Sequence, residues 1–372
     1  MRNTHFKHHL LFILRLSCLI FLVGACDPSM AQDGATDLSQ RIRFRRLSDE
    51  PFVPRTGNTF HSVLVANPAV AAFKGKLYFI FRGQDEGGKD QIGMWTTPLR
   101  GADGIHWKTH HRNLIIPVSK EANAPDNNHV LDPAVVVRVD SLYVYYTGKA
   151  IHRDPDHSIN LSVSGDGKTF HKSHVNPIIS KAIAPEVVVH KGLTHMFYQR
   201  LHPDGYWEVY AATSSNGIDF DTAQERKVFE PSRKAGAFDA FSVATVRIFR
   251  EGEHYYMTYA ACRRYMDYPE SIGLARSKDL IHWERYAHNP IFTRGEAGSW
   301  DEGALWFPTV RKFGDRYVMW YEGAGTGLGA TDEFALKASA EAREKEYGGY
   351  LKTSFSQIGM AVFDGSFRAL FK

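Results

Sequence analysis

The chain has 372 residues, of which 43% are hydrophobic, and a formal net charge of +4 that is spread along the sequence. A chain of this length can bury a large core in one or two domains. Since Lys and Arg form no long basic tract, we expect no nucleic-acid partner. An aromatic content of 13% is typical of all-β proteins, in which most such rings fill the core.

The first 25 residues have the features of a bacterial secretion signal. A basic start is followed by an apolar stretch of about ten residues, LSCLIFLVGA, which is too short to span a bilayer. It ends in Val23-Gly24-Ala25-Cys26, which resembles a lipobox, so we expect lipid modification at Cys26. The predicted product is an exported lipoprotein, periplasmic or on the cell surface, held to a membrane by its lipid anchor alone. Ordinary secretion with a chance cysteine is the alternative.

Residues 26–54 are interpreted as a linker followed by an N-terminal strand. The sequence contains three cysteines, and Cys262 is left without a partner once the leader is removed and Cys26 is acylated. No intrachain disulfide is therefore expected. Since no CxxC pair or HExxH motif occurs, the sequence predicts no metal site and no cofactor.

Five segments of the chain repeat the same pattern. Each has an apolar strand, a tight turn and a second strand rich in Tyr and Phe. The segments start at Ala66, Leu131, Ile183, Phe241 and Trp306. The predicted turns are Lys74-Gly75, Asp140-Ser141, Lys191-Gly192, Glu251-Gly252 and Gly314-Asp315.

A third strand follows each pair, and a turn with an aromatic residue comes after it. The third strands are predicted at 92–95, 159–162, 209–212, 272–275 and 358–361. Five antiparallel four-stranded units predict an all-β, five-bladed β-propeller over residues 55–372. The fourth strand of the last blade is either SFRALF near the C-terminus or RIRFRRL near the N-terminus. A helical insertion is expected in the last blade, between Asp332 and Gly348-Gly349.

Acidic residues recur where the innermost strands begin. Asp132 stands directly before the buried run of blade two, and the first strands of all blades point their N-terminal ends at one face of a propeller. The other candidates at this level are Asn67, Glu186, Asp239 and the pair Asp301–Glu302. Cleavage of a glycosidic bond needs two carboxyl groups, so these residues predict a site of that kind. Structural caps at the start of each strand are the alternative for Asp239 and Asp301.

The chain resembles the five-bladed β-propeller glycosidases, a group that includes glycoside hydrolase families 32, 43, 68, 117 and 130. The motifs that carry the resemblance are Asp132-Pro133, the Ala-Pro-Glu at 184–186 and IGLARSKDLIHW from residue 272. The resemblance covers roughly residues 55 to 365. It implies three acids in a fixed order on the inner strands, and here Asn67 occupies the first position. Reading the ring from blade two instead makes Asp132, Asp239 and Glu302 the catalytic acids, with Glu186 as an alternative member.

Several other residues are candidates for binding a substrate beside these acids. Arginines can bind hydroxyl groups or a carboxylate, tryptophans can stack on a sugar ring, and ordinary packing is the alternative for each. The predicted substrate-binding residues are Asn67, His61, His129, Arg82, Arg200, Arg263, Trp300 and Trp306.

These observations predict a glycoside hydrolase acting on poly- or oligosaccharides, and the resemblance favours inversion of configuration. A phosphorylase similar to family 130 is the first alternative, because Asn-Pro in blade one and Asp in blade two also occur there. The second alternative is a glycan-binding lipoprotein without catalysis. The expected partners are a carbohydrate and a membrane contacted through the lipid, and the sequence gives no oligomeric state.

Overall fold

The computed structural model describes residues 41–108, 114–151, 157–264, 266–325 and 356–371. The predicted leader, the lipidation site Cys26 and the expected helical insertion lie outside these ranges. No helix within them is long and apolar enough to cross a membrane.

The described chain forms five antiparallel sheets, so the predicted five-bladed β-propeller is confirmed. A short strand, β1 (Arg45–Arg46), comes first. Blade one consists of β2 (Leu64–Phe73), β3 (Lys76–Gln84), β4 (Asp90–Pro98) and β5 (Leu114–Ile116). Blade two consists of β6 (His129–Arg138), β7 (Ser141–Lys149), β8 (His157–Ser164) and the outer pair β9 (His171–Lys172) and β10 (Ile179–Ser180).

The remaining blades repeat this order. Blade three consists of β11 (Ile183–His190), β12 (Leu193–Leu201), β13 (Trp207–Ser214), a 3-10 turn (Thr222–Gln224) and β14 (Arg226–Phe229). Blade four consists of β15 (Ser242–Glu251), β16 (His254–Cys262), β17 (Ser271–Ser277), β18 (Glu284–Arg285) and β19 (Phe292–Thr293). Blade five consists of β20 (Ala304–Phe313), β21 (Arg316–Ala324) and β22 (Ser356–Asp364), and a short helix (Phe367–Leu370) follows it.

The N-terminal strand closes the ring. β1 pairs antiparallel with β22, with Arg45 opposite Val362 and Arg46 opposite Ala361. Of the two candidates for the fourth strand of blade five, RIRFRRL is therefore correct. SFRALF instead contains the short C-terminal helix, which Ser366 caps by accepting a hydrogen bond from the Ala369 N–H.

The inner hairpins turn over two residues in all five blades. Two turns lie one residue away from the prediction, because Arg138 pairs with Ser141 and Glu251 pairs with His254. The turn of blade two is thus Val139–Asp140, with φ of 48° and 63°. A β-branched residue such as Val139 rarely adopts positive φ, so its place in the turn is not indicated by the sequence.

Six apolar clusters hold the described part of the propeller together: one lies between each pair of neighbouring blades, and a smaller sixth cluster joins Ala184 to Trp306 and Phe307. Blades one and two, for example, share a cluster that includes Ile80 and Val144, and blades four and five share one that includes Tyr256 and Tyr317. Cys262 is buried within blade four, and its thiol donates to the Met266 carbonyl at 3.8 Å. Since every blade packs on two neighbours, the positions of the inner strands around the axis are fixed.

Candidate active site

Each inner strand carries a β-bulge at the same place. Two residues of β2, β6, β11, β15 and β20 stand opposite one residue of the neighbouring strand. The first residue of each bulge has positive φ, between 45° and 54°, although none is glycine. We call these five residues the bulge ring: Asn67, Asp132, Ala184, Thr245 and Phe307.

Side chains of the preceding blade hold the backbone of the bulge ring. The Thr147 hydroxyl accepts the Ala184 N–H at 2.9 Å, and the Gln199 carbonyl oxygen accepts the Thr245 N–H at 2.7 Å. The Thr245 hydroxyl in turn accepts the Phe307 N–H at 3.0 Å. Because each buried N–H is paired, the strained conformations are fixed from blade to blade.

Asp132 is the one carboxylate of the bulge ring. Its side chain is 8% exposed, and Pro133 follows it into the buried part of β6. Burial raises the pKa of the Asp132 carboxyl, against the lowering effects of Arg82, a hydrogen bond from Thr147, and the charges of Arg247 and Lys149. An acid with a raised pKa retains its proton at a higher pH than an ordinary aspartic acid, as general acid catalysis requires.

Asn67 connects Asp132 to a second carboxyl group. The Asn67 carbonyl oxygen accepts the Asp132 N–H at 3.3 Å, and its amide nitrogen donates to Glu322 Oε2 at 2.7 Å. Glu322 Oε2 also accepts the Asn67 N–H at 3.3 Å, and Oε1 accepts the Ser356 hydroxyl at 2.7 Å. Glu322 has an exposed fraction of 0%.

The electrostatics of Glu322 couple it to Asp132. Burial and, to a smaller extent, the negative charge of Asp132 together raise the pKa of Glu322 to about 7, against the lowering effects of Arg82, the Ser356 hydroxyl and the Asn67 N–H. Two carboxyl groups that interact in this way disfavour each other's ionised form.

Arg82 lies in a buried polar cluster beside the two acids. Its Nε donates to Asp90 at 2.7 Å, and His129 Nδ1 lies 2.7 Å from the other oxygen of Asp90. Burial disfavours ionisation of Asp90, but Arg82 and His129 outweigh this effect and hold its pKa below the usual range. The predicted residues Asn67, Arg82, His129 and Asp132 are therefore brought together.

Glu186 lies two residues beyond the bulge residue Ala184 on β11, where it pairs with Arg247 of β15. Arg247 Nη1 is 3.3 Å from Glu186 Oε2, and the Ile248 N–H donates to Glu186 Oε1 at 2.9 Å. Arg247 also donates to the Pro133 carbonyl at 2.9 Å, the Pro185 carbonyl at 3.0 Å and Thr309 at 3.2 Å. Burial raises the pKa of Glu186, and Arg247 opposes it. These contacts make Glu186 part of a buried plug across the axis.

Asp239 takes part in a contact that recurs in three blades. It accepts Arg285 Nε at 2.7 Å and the Tyr259 hydroxyl at 3.3 Å. The same arrangement joins Asp126 to Tyr146 and Lys172, and Asp301 to Tyr321 and Arg46. In each case an acid before the inner strand binds a tyrosine of the second strand and a cation of an outer strand. We call this contact the acid–tyrosine clasp, and it ties the outside of the blade to its inner strand.

The other predicted site residues lie outside the Asp132 cluster or contribute to packing. Glu302 Oε2 accepts the Gly298 N–H at 2.5 Å, and Trp300 stacks on Tyr321. Trp306 donates to Asp267 at 2.8 Å. His61 packs against Phe60 and Phe81, Arg200 pairs with Glu225 at 2.7 Å, and the Arg263 N–H donates to Glu270.

The sequence did not single out Glu322 or Arg247, although a spacing rule would have found Glu322. The residue 15 positions after each bulge lies on the second strand beside the bulge ring. These positions hold Arg82, Thr147, Gln199, Ala260 and Glu322. Four of the five are polar within an otherwise apolar strand, and three of them bind bulge residues.

A cavity of about 470 Å³ lies at the other end of the axis. It is lined by the far ends of the inner strands, such as Val70, Val136 and Val188, and its carboxylate, Glu251, is paired with Lys312 at 2.5 Å. We place the candidate active site at the bulge ring because the buried acids with raised pKa lie there. Among the described residues, no group of three or more His, Cys, Asp or Glu could hold a metal ion.

No protein-family model matches the sequence. A curated relative, the 1,2-β-oligomannan phosphorylase of Thermoanaerobacter sp. (strain X514), is 26% identical over 186 residues, and the match covers 48% of this chain and 60% of the relative. The β-1,2-mannobiose phosphorylase of Listeria innocua, solved with β-1,2-mannobiose, superimposes with a TM-score of 0.61 over 86% of this chain and 96% of that protein, at 12% identity. A thermostable family-43 glycoside hydrolase gives a TM-score of 0.56 over 73% and 87% of the two chains, at 17% identity. This chain therefore has the five-bladed β-propeller fold, which it shares with a family-43 glycoside hydrolase and a β-1,2-mannobiose phosphorylase.

Proposed function

We propose that the protein cleaves glycosidic bonds and that Asp132 is the reacting carboxyl group. The observation that carries the proposal is the placement of Asp132, an acid that is 8% exposed and has a raised pKa, in a ring whose backbone is held by Asn67 of blade one and, through the Pro133 carbonyl, by Arg247 of blade four. Protonation of the departing oxygen by a positioned acid accelerates such a reaction by about 10²- to 10⁴-fold. The fold shared with enzymes that act on glycans supports the same class of substrate.

Hydrolysis is the first candidate reaction. It requires a base for the attacking water, and the inverting form places the two carboxyl groups about 6.5–9.5 Å apart. Glu302 is a candidate for the second carboxyl group because it is 6% exposed and lies two residues before the inner strand of blade five. The expected export of the protein also favours water as the acceptor.

Phosphorolysis is the second candidate, and a specific observation favours it. Asp132 is the one acid in the bulge ring, and phosphate needs no carboxylate to activate it. Arg82 and Lys149 both act on the Asp132 carboxyl and would attract an anion to the same place. The names of the oligomannan and mannobiose phosphorylases point to β-1,2-linked mannosides as substrates to test.

The test is a product assay with β-1,2-mannobiose, longer β-1,2-mannosides and a panel of aryl glycosides, each with and without phosphate. Free sugar in both conditions indicates hydrolysis, and a sugar 1-phosphate formed only with phosphate indicates phosphorolysis. Asp132→Asn should lower kcat at least 100-fold, because the amide has no acidic proton that it can transfer to the departing oxygen. Near-normal turnover by that variant would remove Asp132 from the mechanism. Glycan binding without cleavage would favour the non-catalytic lipoprotein.

We further propose that the enzyme acts outside the cytoplasm, anchored through Cys26. The apolar leader and the small residues before Cys26 support this location. Metabolic labelling with a fatty acid should mark the wild-type protein and leave Cys26→Ser unlabelled. Equal labelling of both would contradict the anchor.

A further inference from the structure

We propose that Glu322 is a positioning residue of this site, which holds the Asn67 amide so that its carbonyl oxygen faces the Asp132 N–H. This inference deepens the proposed function and rests on it for its catalytic consequence. Glu322 lies on β21 of blade five, whereas Asp132 lies on β6 of blade two. Asn67 lies on β2 of blade one, and its side chain links the two residues by hydrogen bonds to Glu322 and to the Asp132 N–H.

The hydrogen bonds determine the orientation of Asn67. An ionised carboxylate only accepts, so the Asn67 NH₂ group must face Glu322 Oε2, at 2.7 Å. The carbonyl oxygen is then directed at Asp132, whose N–H it accepts at 3.3 Å. With the amide reversed, the Asn67 NH₂ group would face the Asp132 N–H, which is also a donor. Its carbonyl oxygen would then face the Glu322 carboxylate, which is also an acceptor. Glu322 thereby holds Asp132 in its positive-φ conformation, φ 52°.

Glu322 acts through Asn67 and does not reach a substrate. It has an exposed fraction of 0%, and its two oxygens accept from Asn67 and from the Ser356 hydroxyl of β22. If Glu322 binds a proton, the Ser356 hydroxyl can rotate to accept it, so the bond to Asn67 remains. The positioning therefore persists on both sides of the Glu322 pKa, which is about 7.

Charge also couples the two acids. The charged groups acting on Glu322 are Arg82 of β3 and Asp132 of β6, and those acting on Asp132 are Arg82, Arg247 of β15 and Lys149 of β7. The negative charge of Asp132 raises the pKa of Glu322, because two like charges are close in a buried site. A neutral side chain at position 322 that keeps the hydrogen bonds therefore removes this coupling but not the positioning.

Two substitutions separate these effects. Glu322→Gln can keep every hydrogen bond, since its carbonyl can accept from Asn67 and its amide can donate to Ser356, but it removes the charge. We expect it to fold and to retain at least a tenth of wild-type kcat, because the hydrogen bonds that orient Asn67 remain. Glu322→Ala removes the acceptor as well, and we expect kcat to fall at least tenfold.

The matched control is Gln199→Ala. Gln199 occupies the same position on β12 and holds the Thr245 N–H of the bulge ring at 2.7 Å, away from Asp132. Gln199→Ala should lower the midpoint of thermal unfolding, as Glu322→Ala does. Its kcat should stay within twofold of wild type, and the limbs of its pH profile within about 0.2 pH units, which is about the precision of such assays. A similar loss of kcat in both variants would mean that Glu322 serves stability alone, and would overturn the proposal.

A readout without turnover distinguishes this inference from the proposed function. The ¹⁵N–¹H resonance of the Asp132 amide in the substrate-free protein should move in Glu322→Ala and stay in place in Gln199→Ala. An unmoved Asp132 amide in Glu322→Ala overturns the positioning role, whatever the activity. If the Asp132 amide resonance moves in Glu322→Ala, the positioning role of Glu322 is supported. If Asp132→Asn also turns over normally, Asp132 is positioned in this way but is not the catalytic group.

Discussion

At the scale of single residues, burial and hydrogen bonding give three carboxyl groups of the hub different properties. Asp132 is slightly exposed and its pKa is raised, Glu322 is fully buried and accepts from Asn67 and Ser356, and Glu186 is paired with a guanidinium. A sequence pattern reports that an acid is present before or within a buried strand. It does not report which donors surround it, because those come from other blades.

This distinction explains which site residues could be predicted. Asp132 is visible in the sequence because it interrupts an apolar run next to proline. Glu322 stands between Tyr321 and Gly323 in a strand whose pattern resembles the other second strands, and Arg247 follows a valine in an ordinary alternation. Their side-chain partners lie far away along the chain, for example 61 positions for Arg247 with Glu186 and 255 positions for Glu322 with Asn67.

Removal of the Arg247 guanidinium should destabilise the whole ring. Arg247→Met leaves Glu186 as an unpaired buried charge and two proline carbonyls without their donor, so we expect a loss of about 3–5 kcal/mol in the free energy of unfolding. Urea denaturation measures it. The double variant Arg247→Met/Glu186→Gln should recover part of the loss, since no buried charge remains.

The control for this prediction is Lys312→Met, which breaks the more exposed pair with Glu251. It should cost less than about 1 kcal/mol, because water screens such pairs. If Arg247→Met costs no more than Lys312→Met, the plug does not support the ring.

At the scale of elements, the bulge and the acid–tyrosine clasp recur from blade to blade. The five bulges lie at equivalent registers, and each directs its first residue away from the regular ladder. The strands themselves were predictable from alternation and turn residues. The bulges were not recognised, although proline is the second bulge residue in four blades (Pro68, Pro133, Pro185 and Pro308) and proline inside a paired strand can mark a bulge. The register shift is what separates Asp132, at the bulge, from Glu186, two residues past it.

The clasp gives a test of whether Asp239 contributes to stability or to catalysis. Asp239→Asn and Asp126→Asn change equivalent positions, and each weakens charge-assisted hydrogen bonds to a cation and a tyrosine. We expect each to lower the free energy of unfolding by about 1–3 kcal/mol and to leave kcat within twofold of wild type. Urea unfolding and the product assay measure the two effects. A tenfold loss of kcat in Asp239→Asn alone would instead assign Asp239 to the active site.

At the scale of the whole molecule, the fold was predictable because the sequence contains the same pattern of strands and turns five times. Each blade carries the same order of apolar strand, turn and aromatic strand, so errors in one copy are corrected by the others. The sequence did not decide which of two segments supplies the strand that closes the ring. The strand β1 has two residues, and a segment of that length is too short to show the alternation of apolar and polar residues that marks a strand. Contacts made by the residues around β1 identify it: Phe44 packs on Phe363 and Phe367, and Arg46 pairs with Asp301 at 2.7 Å.

Closure by β1 predicts that a short N-terminal truncation weakens the entire propeller. A chain beginning at Ser48 loses Ile42, Phe44 and β1, which exposes the edge of β22 and part of the core between blades four and five. The loss of a buried phenylalanine alone costs about 3–5 kcal/mol, and an open edge strand invites association. Compared with a chain beginning at Arg41, the shorter chain should unfold at a lower urea concentration and sediment as oligomers. Equal unfolding midpoints for the two chains would mean that β22 and the short C-terminal helix hold the ring closed without β1, since β22 would then be stable as the edge of a three-stranded blade.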